Sequence, residues 1–125
     1  MDQVVTPYLL YEDGEAALDF AERAFGFRVV ERSIGGAGGL HAELETDRGG
    51  RIYAGAPPTG EFQAPATAGR TAITYVLVED VDAHYERAKA AGATIVEEPT
   101  DLPFGHRRYT CRDPQGHEWS FATPK

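Results

Sequence analysis

His41 and Glu43 stand two residues apart in the unbroken alternation Leu40-His41-Ala42-Glu43-Leu44-Glu45. On a strand, residues i and i+2 share a face, so this imidazole and carboxylate project side by side. The pair has the composition of a general base, His41, oriented by an acid, Glu43. With His106 it also has the composition of an imidazole-carboxylate metal cluster. A polar lining of a wet cleft explains the same spacing without catalysis, and it is the preferred reading. Tyr8, Tyr53 and Tyr75 lie on strand-like runs and offer aromatic area with one hydrogen-bonding tip each, which suits an organic ligand. The alternative for them is the filling of a small closed cup. Glu118 and Ser120 share a face of the last strand. Glu118 is read as a solvated rim residue, with contact to a cationic ligand as the second option.

These residues need a scaffold, and the chain writes it twice. Tyr11-Glu12-Asp13, a helical pattern, Gly26 and Arg28-Val29-Val30-Glu31 are echoed by Val78-Glu79-Asp80, a second helical pattern, Gly92 and Thr94-Ile95-Val96-Glu97. A fixed internal period marks a duplicated unit. Each copy opens with a strand-like run, Val4 to Tyr11 and Thr71 to Val78. Asp13 and Asp80 are placed to cap helices predicted over Gly14 to Phe25 and Val81 to Ala91, and a glycine follows each. Afterwards the period falls to two, giving strands over Leu40–Glu45, Arg51–Ala56, His106 to Arg112 and His117 to Ala122. Asp113-Pro114-Gln115-Gly116 is the turn between the last two. Pro57 to Arg70, rich in Pro, Gly, Ala and Thr, reads as the linker between a first module at about 3–57 and a second at about 71–124. The expected class is α+β: two tandem strand-helix-three-strand modules forming a curved, eight-stranded, mainly antiparallel sheet with helices on its outer face.

Other candidates yield to plainer explanations. His84 sits beside charged residues and reads as part of a solvated helix face. His117, Trp119 and Phe121 fall on the helix side of the last strand, so Trp119 reads as core. Phe104 and His106 are the candidates from a loop expected over Pro99 to Gly105. Arg107 and Arg108 alternate, so at most one points inward. Cys111 reads as a buried or edge thiol, and one cysteine permits no internal disulfide. Gly35 to Gly39 joins strands and precedes no helix, so it is not a phosphate cradle. With 125 residues and a net charge of −8, the chain suits one domain and disfavours nucleic acid, which needs a basic face. No apolar run approaches the roughly 20 residues of a membrane span, and Met1-Asp2-Gln3 does not open a secretory signal; a cytoplasmic protein is expected.

The duplicated unit, together with Thr6-Pro7-Tyr8-Leu9, Tyr75 to Asp82 and Asp113-Pro114-Gln115-Gly116-His117-Glu118-Trp119-Ser120-Phe121-Ala122-Thr123, resembles the vicinal oxygen chelate superfamily of glyoxalases, bleomycin resistance proteins and dioxygenases. The resemblance implies the eight-stranded cup, a small-molecule ligand, and a homodimer whose clefts are formed partly by the partner chain. The family's metal positions align with Thr6, Tyr53, Ile73 and Ser120, where no imidazole or carboxylate stands. No cofactor is therefore expected, and a divalent metal would need displaced ligands. The same alignment turns Tyr8, Tyr53 and Tyr75 toward the cup. The expectation is a binder that sequesters an aromatic or cationic compound, as in antibiotic resistance, lined by Tyr8, His41, Glu43, Tyr53, Tyr75, Phe104, His106 and Ser120. The alternative is a lyase, isomerase or dioxygenase using displaced metal ligands or a metal-free base.

Overall fold

Two aspartates start the helices as their positions require. In the computed structural model, which describes residues 5–34, 38–56, 64–65, 69–70, 72–103 and 105–125, Asp13 Oδ1 accepts from the Ala16 amide at 3.0 Å and opens α1, Gly14–Phe25. Asp80 Oδ1 does the same for Ala83 at 3.1 Å and opens α2, Val81–Ala90. Each carboxylate satisfies an amide that the first helical turn cannot pair. Gly26 ends α1 in the left-handed region, φ 71°, where a side chain would be strained.

The strands are β1 (Tyr8–Leu10), β2 (Arg28–Ile34), β3 (Leu40–Glu45), β4 (Arg51–Ala56), β5 (Ile73–Leu77), β6 (Thr94–Asp101), β7 (His106–Arg112) and β8 (Glu118–Pro124). They hydrogen-bond as two four-stranded sheets, in the orders β1-β4-β3-β2 and β5-β8-β7-β6. In each sheet the first strand runs parallel to the last of its own half, and the other pairings are antiparallel. The class is thus α+β with mixed sheets, as the duplicated pattern implies. The first strand of each half is shorter than its apolar run. Tyr11 leaves β1 to become core, and Pro99 to Asp101, expected as loop, extend β6. The linker lies mostly outside the described residues, as do positions 35–37 of the glycine run.

α1 and α2 face one core. Leu18, Phe20, Phe25 and Phe27 from the first half join Val81, Tyr85, Tyr109, Trp119 and Phe121 from the second. Phe25 lies 5.2 Å from the Trp119 ring and 4.8 Å from that of Phe121, centroid to centroid. Aromatic pairs at such spacings contribute beyond their buried area. Arg87 on α2 donates to the carbonyls of Arg23 and Glu22 at 3.0 and 3.1 Å, putting a cation on the negative end of α1.

The halves are also clasped at their turns. Asp113, buried before the β7–β8 turn, accepts from Tyr11 Oη at 2.6 Å, from Trp119 Nε1 at 3.1 Å and from the amides of Gln115 and His117. His117 Nε2 donates to the Leu10 carbonyl at 2.7 Å. Reciprocally, the β3–β4 turn touches the end of β5, where Asp47 accepts from the Glu79 amide at 3.0 Å.

Candidate functional site

With one face of each sheet spent on the helices, chemistry is left to the other. Strand alternation sorts the residues. Ala42, Leu44, Ile52 and Ala54 are buried on the helix side, while Tyr8, His41, Glu43, Tyr53 and Arg51 share the open face of the first sheet. Tyr8 Oη and His41 Nδ1 are hydrogen-bonded at 2.9 Å. The rings of Tyr8, His41 and Tyr53 contact one another, with centroids 5.3 to 5.8 Å apart. Gly55 makes this possible. It pairs with His41, and a Cβ there would lie 2.8 Å from the Tyr8 ring.

Glu43 does not orient His41. Its carboxylate meets Arg51 Nη1 at 3.3 Å, while His41 Nδ1 is engaged by tyrosine. The two neighbours point the same way, but the ion pair wins the carboxylate because a guanidinium offers charge as well as donors. The general-base geometry that the composition of this pair allows is therefore not formed.

The open face of the second sheet carries Tyr75, His106, Arg108, Thr110, Arg112, Glu118 and Ser120. Tyr75 Oη bonds His106 Nδ1 at 2.7 Å. Each half thus presents a tyrosine-imidazole pair. Ser120 is only 3% exposed, and its hydroxyl is spent on Thr110 at 2.8 Å. Glu118 is not a solvated rim residue. Its side chain is 16% exposed and pairs with Arg112 at 3.1 Å and Arg70 at 3.7 Å. Phe104 lies outside the described residues. Arg107 turns to the helix side, where Asp82 of α2 and Asp101 hold it, so the inward arginine is Arg108.

His84 also departs from expectation. It is no solvated residue but a bridge beneath α2. Its Nε2 donates to the Phe25 carbonyl at 3.1 Å, which leaves Nδ1 to accept from Tyr109 Oη at 2.6 Å. Burial lowers its pKa to about 4. Burial likewise pushes the Cys111 thiol up to about 12, aided by Asp113, so Cys111 is not poised as a thiolate.

The family's metal positions do not fit a divalent ion. Tyr53 packs its ring on Tyr8, Ile73 offers only hydrocarbon, and Ser120 is bonded to Thr110. Among the described residues no three His, Cys, Asp or Glu converge, so His41, Glu43 and His106 form no displaced cluster. An open cleft of about 420 Å³ lies where the halves meet, between Arg51 and Ile52 on one side and Tyr75, Val76 and Leu77 on the other. No helix among the described residues is long and apolar enough to cross a membrane.

A duplicated strand-helix-three-strand unit with two open sheet faces defines a tandem α+β scaffold. The particular family follows from comparison. Residues 1–121 match the model of the Glyoxalase/Bleomycin resistance protein/Dioxygenase superfamily, and the chain belongs to that superfamily. It is 34% identical to the crystal structure of TioX from Micromonospora sp. ML1, covering 99% of this chain and 100% of that one at a TM-score of 0.78. An uncharacterized protein of Mycobacterium tuberculosis is 33% identical over 129 residues, covering 99% of this chain and 76% of that protein. TnmS3, an antibiotic binding protein from Streptomyces sp. CB03234, shares the fold at a TM-score of 0.78 with 20% identity, covering 100% of this chain and 98% of that one.

Proposed function

We propose that this protein binds and sequesters a small aromatic compound of antibiotic type on its open sheet faces. One observation carries the reading. Tyr8, 51% exposed, and Tyr75, 43% exposed, are held out on the sheet faces, each locked to an imidazole. Aromatic rings fixed in place yet open to solvent offer a stacking surface at little entropic cost on binding. The antibiotic binding stated for TnmS3 supports the same class of ligand. The acids on these faces favour the aromatic over the cationic option, since Glu43 and Glu118 both have arginine partners. A second copy of the chain covering Ile73 and Leu77, exposed on the same side of β5, completes the cleft beside Tyr75 in this reading. Calorimetry against a panel of aromatic antibiotics, bleomycin included, tests it. Saturable binding below millimolar concentration, weakened at least tenfold by Tyr8→Ala or Tyr75→Ala, is expected. No binding across the panel at millimolar levels overturns it. Light scattering checks the dimer separately.

A further inference from the structure

Two adjacent arginines are treated very differently. Arg107 is saturated on the helix side, with its guanidinium shared between Asp82 and Asp101. Arg108 is not. Its Nη2 reaches Glu97 at 3.2 Å, but its Nε is buried with no hydrogen-bond partner among the described residues. Burying a charged group's donor without an acceptor costs free energy that the fold must recover elsewhere. Native proteins hold few such atoms, and each needs a reason.

Its location supplies one. Arg108 stands opposite Ala122 in mid-sheet, on the face that carries Tyr75, His106 and Thr110. Register places it where His41 stands in the first half, opposite Gly55. A buried Nε left without an acceptor, at a position on the face that would meet the ligand and with only one nitrogen of the group ion-paired, points to function.

We infer that Arg108 anchors an oxygen of the ligand, and that the ligand is an aromatic compound bearing a carboxylate. This rests on the reading of the open faces as binding surfaces and adds the charge of what they bind. A carboxylate accepts two parallel bonds from the guanidinium edge that includes Nε, a geometry lysine cannot reproduce. Because Nε is covered in the ligand-free fold, the guanidinium turns toward the incoming oxygen and releases Glu97 to solvent. Tyr75 and His106 flank the approach with rings for the aromatic body.

The test compares 2-naphthoate with 2-naphthylmethylammonium, two probes of like shape and opposite charge. Naphthoate is expected to bind at least tenfold more tightly. Arg108→Met should erase that preference without lowering the Tm of the ligand-free protein, and Arg108→Lys should restore only part of it. If Arg108→Met lowers Tm and leaves the preference intact, Arg108 is structural and the inference fails. If both probes bind equally, the inference fails while the binding surface stands. If neither shows saturable binding, the surface reading fails and takes the anchor with it.

Discussion

The two open faces follow one plan and carry different chemistry. Register sets Tyr8 against Tyr75, Tyr53 against Ser120, His41 against Arg108, and Gly55 against Ala122. One row keeps its ion pair but exchanges the signs: Arg51 with Glu45 in the first sheet, Glu118 with Arg112 in the second. The tyrosines diverge for a physical reason. In the first half the absent side chain of Gly55 lets Tyr8 lie across it to His41. At the matching place a methyl stands on Ala122, and Tyr75 is bonded instead to His106. The helix-facing positions hold both sheets on one core, whereas the open faces are under no such packing constraint. Duplication therefore preserves the aspartate N-caps and the core and leaves the faces to specialise.

The turns that clasp the halves differ as well, and the largest loss of stability is expected at the β7–β8 turn. Asp113 is buried and serves four donors, so Asp113→Ala should cost about 3–5 kcal/mol in denaturant unfolding, because it strands several neutral donors at about 1–3 kcal/mol for each one left buried. A loss below that range would mean that the clasp is dispensable.

The helices offer the next contrast, through His84. With its native pKa held near 4 by burial against an ordinary 6.5, the unfolded chain takes up a proton more readily than the folded one. Stability is therefore full above pH 6.5 and falls as pH drops toward 4, by up to about 3 kcal/mol. The corresponding position on α1 is Ala17, which has no titratable group. Thermal unfolding of His84→Gln across this window should lose that part of the slope. An unchanged slope would place the acid sensitivity elsewhere.

Gly55→Ala tests the divergence of the tyrosines. The new methyl should push Tyr8 off His41 at a stability cost of about 1 kcal/mol or less, because the exposed ring can swing into solvent. Loss of the Tyr8–His41 ring contact in NMR, with weaker ligand binding, is the expected result. The smallest effect is expected at the other turn. Asp47→Ala removes one exposed bond to the Glu79 amide and should cost under about 1 kcal/mol by the same denaturant measurement. An effect equal to that of Asp113→Ala would make the two clasps equivalent after all.

Much of the scaffold was legible because it is written in local rules. Asp13, Gly26 and the spacing of Leu18, Ala21 and Phe25 bound α1 correctly, since caps and helical periodicity depend on near neighbours. Alternation placed His41 and Glu43 on one face, and Trp119 in the core. Pairing across strands was not legible. Glu43 is claimed by Arg51, eight residues away across a turn, and Glu118 by Arg112 and Arg70. His84 looked solvated beside Glu86 and Arg87, because its sequence neighbours do not reveal that α2 packs on α1 and covers it with Phe25.

The duplicated unit, its aspartate N-caps and the apolar side of each strand are readable from the chain alone, because these follow from the preferences of residues within a few positions of one another. Which of Arg107 and Arg108 joins the open face, which acids are neutralised, that His84 is half-buried, and that Gly55 opens a path for Tyr8 were settled by the assembled fold. Those outcomes depend on which distant atoms arrive at the same place, and a competition for partners is settled by distance and charge in three dimensions rather than by order along the chain.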